Sequence, residues 1–176
     1  MKQITIDIVK FLNDNFSEWR KVDKTSLAII VSVVGHFGVT DKGGHPYIFH
    51  VIAVTLGLRH KDDEIIQAAL LHDIVEDTNI TLEDLKLLGF SKRVIDCVAA
   101  VTKDESLTYA QNIDRVVENL DACYVKLSDL TNNTLLSRLK DLSEKTFSKM
   151  RDYMIAYKRV EAVIDAAEKS RSDQTA

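Results

Sequence analysis

Apolar positions recur at helical spacing along almost the whole chain. Ile4, Ile8, Phe11, Leu12 and Phe16 fall on one stripe and predict a first helix. Thr25 or Ser26 can cap a second, whose Leu27–Val34 stretch is apolar nearly all round and is expected to be central. That run ends near HFGVTDKGG (36–44), where the Gly pair marks a loop and Pro46 suits a first helical position. A third helix carries Tyr47, Ile48, Val51, Ile52 and Val54. A fourth opens on Asp62, Asp63 and Glu64, which favour a helix N-terminus, and runs into HDIVEDT (72–78).

The second half keeps the same period. Thr81-Leu82-Glu83-Asp84 has the form of a capping box, with Gly89 as the C-terminal stop. Ser91 can cap a helix through Val94, Ile95, Val98 and Val101, and Ile113, Val116, Val117 and Leu120 continue the pattern. ACYVKL (122–127) is rich in strand formers, but no second strand is available to pair with it, so it is assigned to a buried helix. A last helix, about 143–168, keeps Phe147, Met150, Met154, Tyr157 and Ile164 on one side. There is no internal repeat and no low-complexity linker. The expectation is an all-α, single-domain helical bundle over residues 1–170, with 171–176 as a frayed tail.

Composition narrows the function classes. With 176 residues the chain fits one domain burying roughly 70% of its unfolded surface. One Pro, six Gly and 7% aromatic residues lean away from turn-rich β folds. The net charge of −4 argues against nucleic acid as the main partner, since such proteins carry basic surfaces that replace counterions. LAIIVSVV (27–34) is far short of the roughly 20 apolar residues that a membrane helix needs. MKQITIDIVK lacks the apolar core of a signal peptide, so the chain is expected to be cytoplasmic. Cys97 and Cys123 lie in apolar runs without CxxC spacing and are expected to be buried free thiols.

HDIVEDT raises the chemical question. His72 and Asp73 directly follow the apolar AALL (68–71), and burying such groups costs several kcal/mol unless they are paired or bound to a metal. Two more polar residues interrupt apolar runs: His50 in YIFH (47–50) and Asp129 in VKLSDL (125–130). Together they supply two imidazoles and two carboxylates from three helices. Mixed N/O ligation suits Mn²⁺, Fe²⁺, Co²⁺ or Zn²⁺, and the lack of thiolates argues against a structural zinc site. Four protein ligands leave about two octahedral positions for water and a substrate oxygen.

The H…HD…D set resembles that of the HD phosphohydrolases. KGGHPYIFH (42–50), AALLHDIVEDT (68–78), VTK (101–103) and KLSDLTNN (126–133), in that order, resemble the hydrolase domain of RelA/SpoT proteins and the small alarmone hydrolases. The similarity covers about residues 25–150. It implies an HD-type helical bundle with His50, His72, Asp73 and Asp129 as metal ligands and Mn²⁺ as the ion. It also implies that Glu76 and Asp77 serve a metal-activated water attacking phosphorus, with Lys42 and Asn133 contacting a nucleotide substrate. If the helix continues past His72, Glu76 lies one turn on and Asp77 one turn beyond Asp73. His36, His45 and His60 are not assigned as ligands, although His36 is placed near the cleft.

Some positions depart from the family pattern. Asp41 stands where an Arg is expected, Leu130 and Asn132 replace the usual Arg and His, and Leu135 and Leu136 replace a frequent Arg and Thr. The hydrolytic machinery is complete while the recognition shell is altered. The resemblance therefore implies a (p)ppGpp 3′-pyrophosphohydrolase. The alternatives are an HD phosphohydrolase on another nucleotide or NADPH, and a non-catalytic nucleotide sensor, which would not need both Glu76 and Asp77.

Overall fold

A computed structural model describes residues 7–41, 43–135, 141 and 143–175. Its helices are α1 (Ile8–Asn15), α2 (Lys24–Gly35), α3 (Ile48–Leu56), α4 (Asp63–Leu71), α5 (Ile74–Asp77), α6 (Leu82–Leu87), α7 (Lys92–Val101), α8 (Tyr109–Val117), α9 (Leu120–Asn133) and α10 (Glu144–Thr175). Among the described residues the β content is a single antiparallel bridge, Thr40 with Pro46. The all-α expectation holds, and no described helix is long and apolar enough to cross a membrane.

The central element is α4, which packs against α2, α3, α7 and α9. Its Ile65, Ala68, Ala69, Leu70 and Leu71 are all buried, and the two alanines let neighbouring helices approach closely. The Asp62 carboxylate caps α4 by accepting from the Glu64 and Ile65 amides, and Arg93 of α7 reaches across to Asp62, Glu64 and Asp121. Helix α9 lies on α4 and carries the ACYVKL segment as helix, with Ala122, Cys123, Tyr124, Val125 and Leu127 buried. Packing on two sides decides that segment against its strand propensity. Thr81–Asp84 forms the expected capping box, Gly89 takes the left-handed conformation at φ 77°, and Ser91 caps α7. Cys97 and Cys123 are buried free thiols.

Several local expectations are corrected. Asp23, not Thr25 or Ser26, caps α2, because its carboxylate reaches the Ser26 amide at 2.8 Å. Only one side of α2 is interior: Leu27, Ala28 and Val31 are buried, while Ile29, Val33 and Phe37 stay exposed. Phe49, Ile52 and Leu56 of α3 are likewise exposed. Pro46 sits in the bridge with Thr40, and α3 begins two residues later. In α10 the interior stripe is Ala156, Val160 and Ile164, whereas Phe147 and Met154 face solvent. The helix runs to Thr175 where a frayed tail is expected from sequence.

A close approach between α3 and α9 sets the spacing of two helices that matter below. A Cβ on Gly57 would meet the Ser128 hydroxyl at 2.7 Å, and that hydroxyl donates to the Val54 carbonyl at 2.7 Å. Gly57→Ala is therefore expected to push α3 off α9 and destabilise the protein by about 1–3 kcal/mol, the usual range for overpacking. Urea unfolding checks this, and an unchanged midpoint would mean that the Ser128 side chain moves aside without cost.

Candidate metal centre

The bundle encloses a cavity of about 660 Å³, walled by the α2–α3 loop, the α4–α5 turn, α5, α7, α8, α9 and the first turns of α10. Beside it, where Asp73 and Asp129 form part of the lining, three of the four residues expected as metal ligands come together. His50, His72 and Asp129 are each only 4% exposed, and one ligand atom from each lies within 4.8 Å of the others. His50 Nε2 is 3.3 Å from Asp129 Oδ1, and His72 Nε2 is 3.9 Å from the same oxygen. Asp73 Oδ2 adjoins both rings, at 2.9 Å from His72 Nε2 and 3.5 Å from His50 Nε2. The Asp73 carboxylate is less buried than the other three and is held by the Tyr47 hydroxyl at 2.6 Å.

The helix does not continue unbroken through HDIVEDT. It stops at His72, and Asp73 sits in a turn at φ −100°, ψ 0° before the short α5. The His72 ring contributes to that stop: its Nδ1 donates to the Ala69 carbonyl at 2.8 Å, satisfying a group at the end of α4. The turn brings the imidazole and the Asp73 carboxylate together, with Asp73 lining the cavity. Glu76 and Asp77 follow on α5, and both line the cavity. Glu76 Oε2 accepts from the Lys103 amide at 3.1 Å.

Ring partners fix which nitrogens are left for a cation. With Nδ1 of His72 committed to a carbonyl, its Nε2 carries the lone pair, and this buried nitrogen has no hydrogen-bond partner. A lone pair 2.9 Å from a carboxylate oxygen is repulsive unless a proton or a cation lies between them. Octahedral ligands at about 2.1 Å from an ion stand about 3 Å apart when adjacent and about 4 Å apart when opposite. The observed separations of 2.9–3.9 Å fall in that span. The donor set is two imidazoles and two carboxylates, so the residues present fit a divalent ion.

Charge tells the same story. Burial pushes the His50 ring down, but Asp129 and Asp73 more than offset it and hold it up at about 9. Burial likewise opposes charge on His72, and Asp73 and Asp129 raise it. Asp129 resists the upward push of burial because Lys126, at 2.8 Å, and His50 favour its ionised form. Asp73 is held well below the ordinary carboxylate range against its burial, chiefly by His72. Asp77 goes the other way: burial and then the Asp73 charge push it up to about 6.

The remaining assigned residues are placed unequally. Asn133 lines the cavity, but its amide donates to Asp129 Oδ1 at 2.5 Å. Lys42 lies outside the described residues. Asp41 holds the loop together, its Oδ1 accepting from the Gly43 and His45 amides at 2.9 Å each. His45 and His60 are exposed. His36 is buried and stacked on Tyr47 at 5.0 Å, away from the cavity lining. Sequence reasoning missed two residues. Tyr47, read only as apolar, grips Asp73, and Asn132, read only as a departure, sits 2.7 Å from His50 Nδ1. A polar residue one turn from a suspected ligand was the available signal for each.

No family model matches the chain. A solved structure described as a metazoan orthologue of SpoT that hydrolyses ppGpp superposes with a TM-score of 0.67 over 85% of this chain and 96% of that one, at 24% identity. The two share an all-helical fold. In sequence, the chain is 42% identical over 115 residues to guanosine-3′,5′-bis(diphosphate) 3′-pyrophosphohydrolase MESH1 of Danio rerio, covering 60% of this chain and 61% of that protein. It is 37% identical over 107 residues to the MESH1 protein of Drosophila melanogaster, covering 57% and 58%. It is 33% identical over 126 residues to the bifunctional (p)ppGpp synthase/hydrolase SpoT of Escherichia coli, covering 64% of this chain and 18% of that protein. The chain thus spans about three fifths of the metazoan relatives it matches and under a fifth of SpoT. The resemblance to RelA/SpoT-type hydrolases seen in the motifs is borne out.

Proposed function

We propose that the chain is a divalent-metal-dependent phosphohydrolase that removes pyrophosphate from the 3′ position of a guanosine nucleotide such as ppGpp. One observation carries the proposal: His50, His72, Asp73 and Asp129 crowd four ligand atoms beside a nucleotide-sized cavity that Asp73 and Asp129 help to line, with both imidazole Nδ1 atoms engaged elsewhere. The relatives named above carry the matching activity in their descriptions.

These four residues would hold the ion, which we take to be Mn²⁺. A bound divalent ion polarises phosphoryl oxygens and lowers the pKa of water, supplying a nucleophile at neutral pH. The chain's own charges make such an ion necessary. Among the described lining residues Asp41, Asp73, Glu76, Asp77, Asp129 and Asp152 outnumber Lys103, Lys126 and Lys149, so the bare cavity would repel a pyrophosphate. Glu76 and Asp77 line the cavity as carboxylates able to accept a proton from water, and Asp77, at about 6, is poised near working pH. Lys103 and Lys149 face the space where phosphates would lie, and Asn133 borders it; Lys42 belongs to the same proposal by motif alone. The site serves a small-molecule substrate rather than nucleic acid, within one domain working in the cytoplasm.

The deciding test is turnover of the Mn²⁺-loaded protein on ppGpp, ordinary guanosine nucleotides and NADPH. Conversion of ppGpp to GDP and pyrophosphate is the expected result. Preference for NADPH would keep the chemistry and change the substrate, and tight binding without product would leave a sensor.

Proton competition gives a second check. The His50 ring, held at about 9 without metal, must lose its proton before Nε2 can ligate. Apparent Mn²⁺ affinity is therefore expected to fall as pH drops below about 9, by about tenfold per pH unit for each proton displaced. Calorimetric titrations between pH 6.5 and 9 measure this, and a flat profile would remove His50 from the ligand set.

A further inference from the structure

We infer that Asn132 is the positioning residue that fixes the His50 ring for ligation. The inference rests on the metal-centre reading above and adds a residue to it. Asn132 is on the last turn of α9, three residues beyond Asp129, and its Oδ1 lies 2.7 Å from His50 Nδ1. An amide oxygen only accepts, so this contact requires the proton on Nδ1 and leaves Nε2, which faces Asp73 and Asp129, as the nitrogen able to ligate once it gives up its own proton.

The two imidazoles are oriented by different devices. His72 Nδ1 meets the Ala69 carbonyl, a backbone group that cannot become a donor. His50 meets a side-chain amide, which could present its NH₂ instead. With the amide reversed, Nδ1 would be the acceptor and the proton would move to Nε2, which then could not ligate. The identity and orientation of residue 132 therefore decide whether α3 contributes a ligand at all. Because the contact joins α3 to α9 across 82 positions of sequence, it also fixes the ring relative to Asp129.

The chemistry at this position is specific to the chain, since a His is usual there in the resembled family and an Asn stands here. The requirement is an acceptor facing Nδ1, which Asn meets through Oδ1. A carboxylate would meet it more strongly, because a negative acceptor makes the imidazole a better donor to the ion. An apolar isostere cannot meet it.

The experiment compares Mn²⁺ affinity by calorimetry for the parent, Asn132→Leu and Asn132→Asp. It also records the ¹H–¹⁵N signal of the His50 Nδ1–H group in the metal-free proteins. Loss of 10–100-fold in Mn²⁺ affinity is expected for Asn132→Leu, the range seen when such outer partners are removed. Asn132→Asp is expected to bind Mn²⁺ at least as tightly as the parent. In the spectra, a hydrogen-bonded, slowly exchanging Nδ1–H is expected in the parent and Asn132→Asp, and a fast-exchanging one in Asn132→Leu.

A merely structural role predicts a different order, with the buried extra charge of Asn132→Asp as harmful as the leucine. That order, or a parent ring whose Nδ1–H is not hydrogen-bonded, would overturn the inference. If the parent binds no Mn²⁺, the metal reading itself fails, and the ring spectra still decide whether Asn132 holds Nδ1–H. Should Asn132→Leu not fold, the Asn132→Asp affinity and spectrum carry the decision alone.

Discussion

Replacing His72 by Ala is expected to abolish Mn²⁺ retention and with it all turnover, while His60→Ala leaves both unchanged. His72 is the best-committed ligand candidate: it is 4% exposed, its Nδ1 is tied to Ala69, and its Nε2 has no hydrogen-bond partner. Its loss removes one of two nitrogen donors and leaves Asp73 and Asp129 facing each other with less to compensate their charge. His60 is an exposed ring of the same chemistry outside the cavity, which makes it the control for imidazole content alone. Metal content after gel filtration and the thermal midpoint with and without Mn²⁺ measure the effect. In the parent, an ion at a hundred times its dissociation constant adds about 2.7 kcal/mol of stability, and the variant should gain none. Full metal retention by His72→Ala would end the ligand assignment.

Glu76→Gln is expected to keep the fold and the metal and to lose about 10²–10⁴-fold in turnover, the usual contribution of a positioned acid–base group. The amide preserves volume and can still accept from the Lys103 backbone N–H, so the α5–α7 contact survives. Only the capacity to take a proton disappears. Asp73 and Asp129 each adjoin both rings, whereas Glu76 Oε2 is engaged by the Lys103 amide, so metal affinity should change little. Parallel loss of metal would instead make Glu76 a ligand. Unchanged turnover would move the proton-handling role to Asp77, whose carboxyl is the one displaced toward neutrality.

Much of this arrangement was legible in the sequence because burying an imidazole or carboxylate is costly. His50, His72 and Asp129 interrupt apolar runs, and each is buried within reach of the others. The helical period likewise placed α7 and the capping box of α6 correctly, since those elements are governed by local hydrogen bonds. What sequence did not show was which face of an all-apolar helix turns inward. Ile29 and Val33 are as apolar as Val31, and only the position of α4 selects among them. The break at His72–Asp73 was also hidden, because it follows from a side chain bonding to the Ala69 carbonyl in a run with no Gly or Pro. Tyr47 and Asn132 escaped notice because their roles exist only through partners 26 and 82 positions away.

The outward sides of α2 and α3 also bear on how the protein behaves in concentrated solution. Ile29, Val33, Phe37, Phe49, Ile52 and Leu56 are exposed there, and no Asp, Glu, Lys or Arg occurs from Thr25 to Thr40 or from Pro46 to Leu58. Colloidal stability rests on repulsion between like-charged molecules, and these two stretches contribute none of it. Near the isoelectric point of about 5.7 the rest of the surface stops contributing as well. Stickiness at mildly acidic pH and in high salt is thus expected of these exposed apolar positions, and a single lysine at Leu56 would place charge among them.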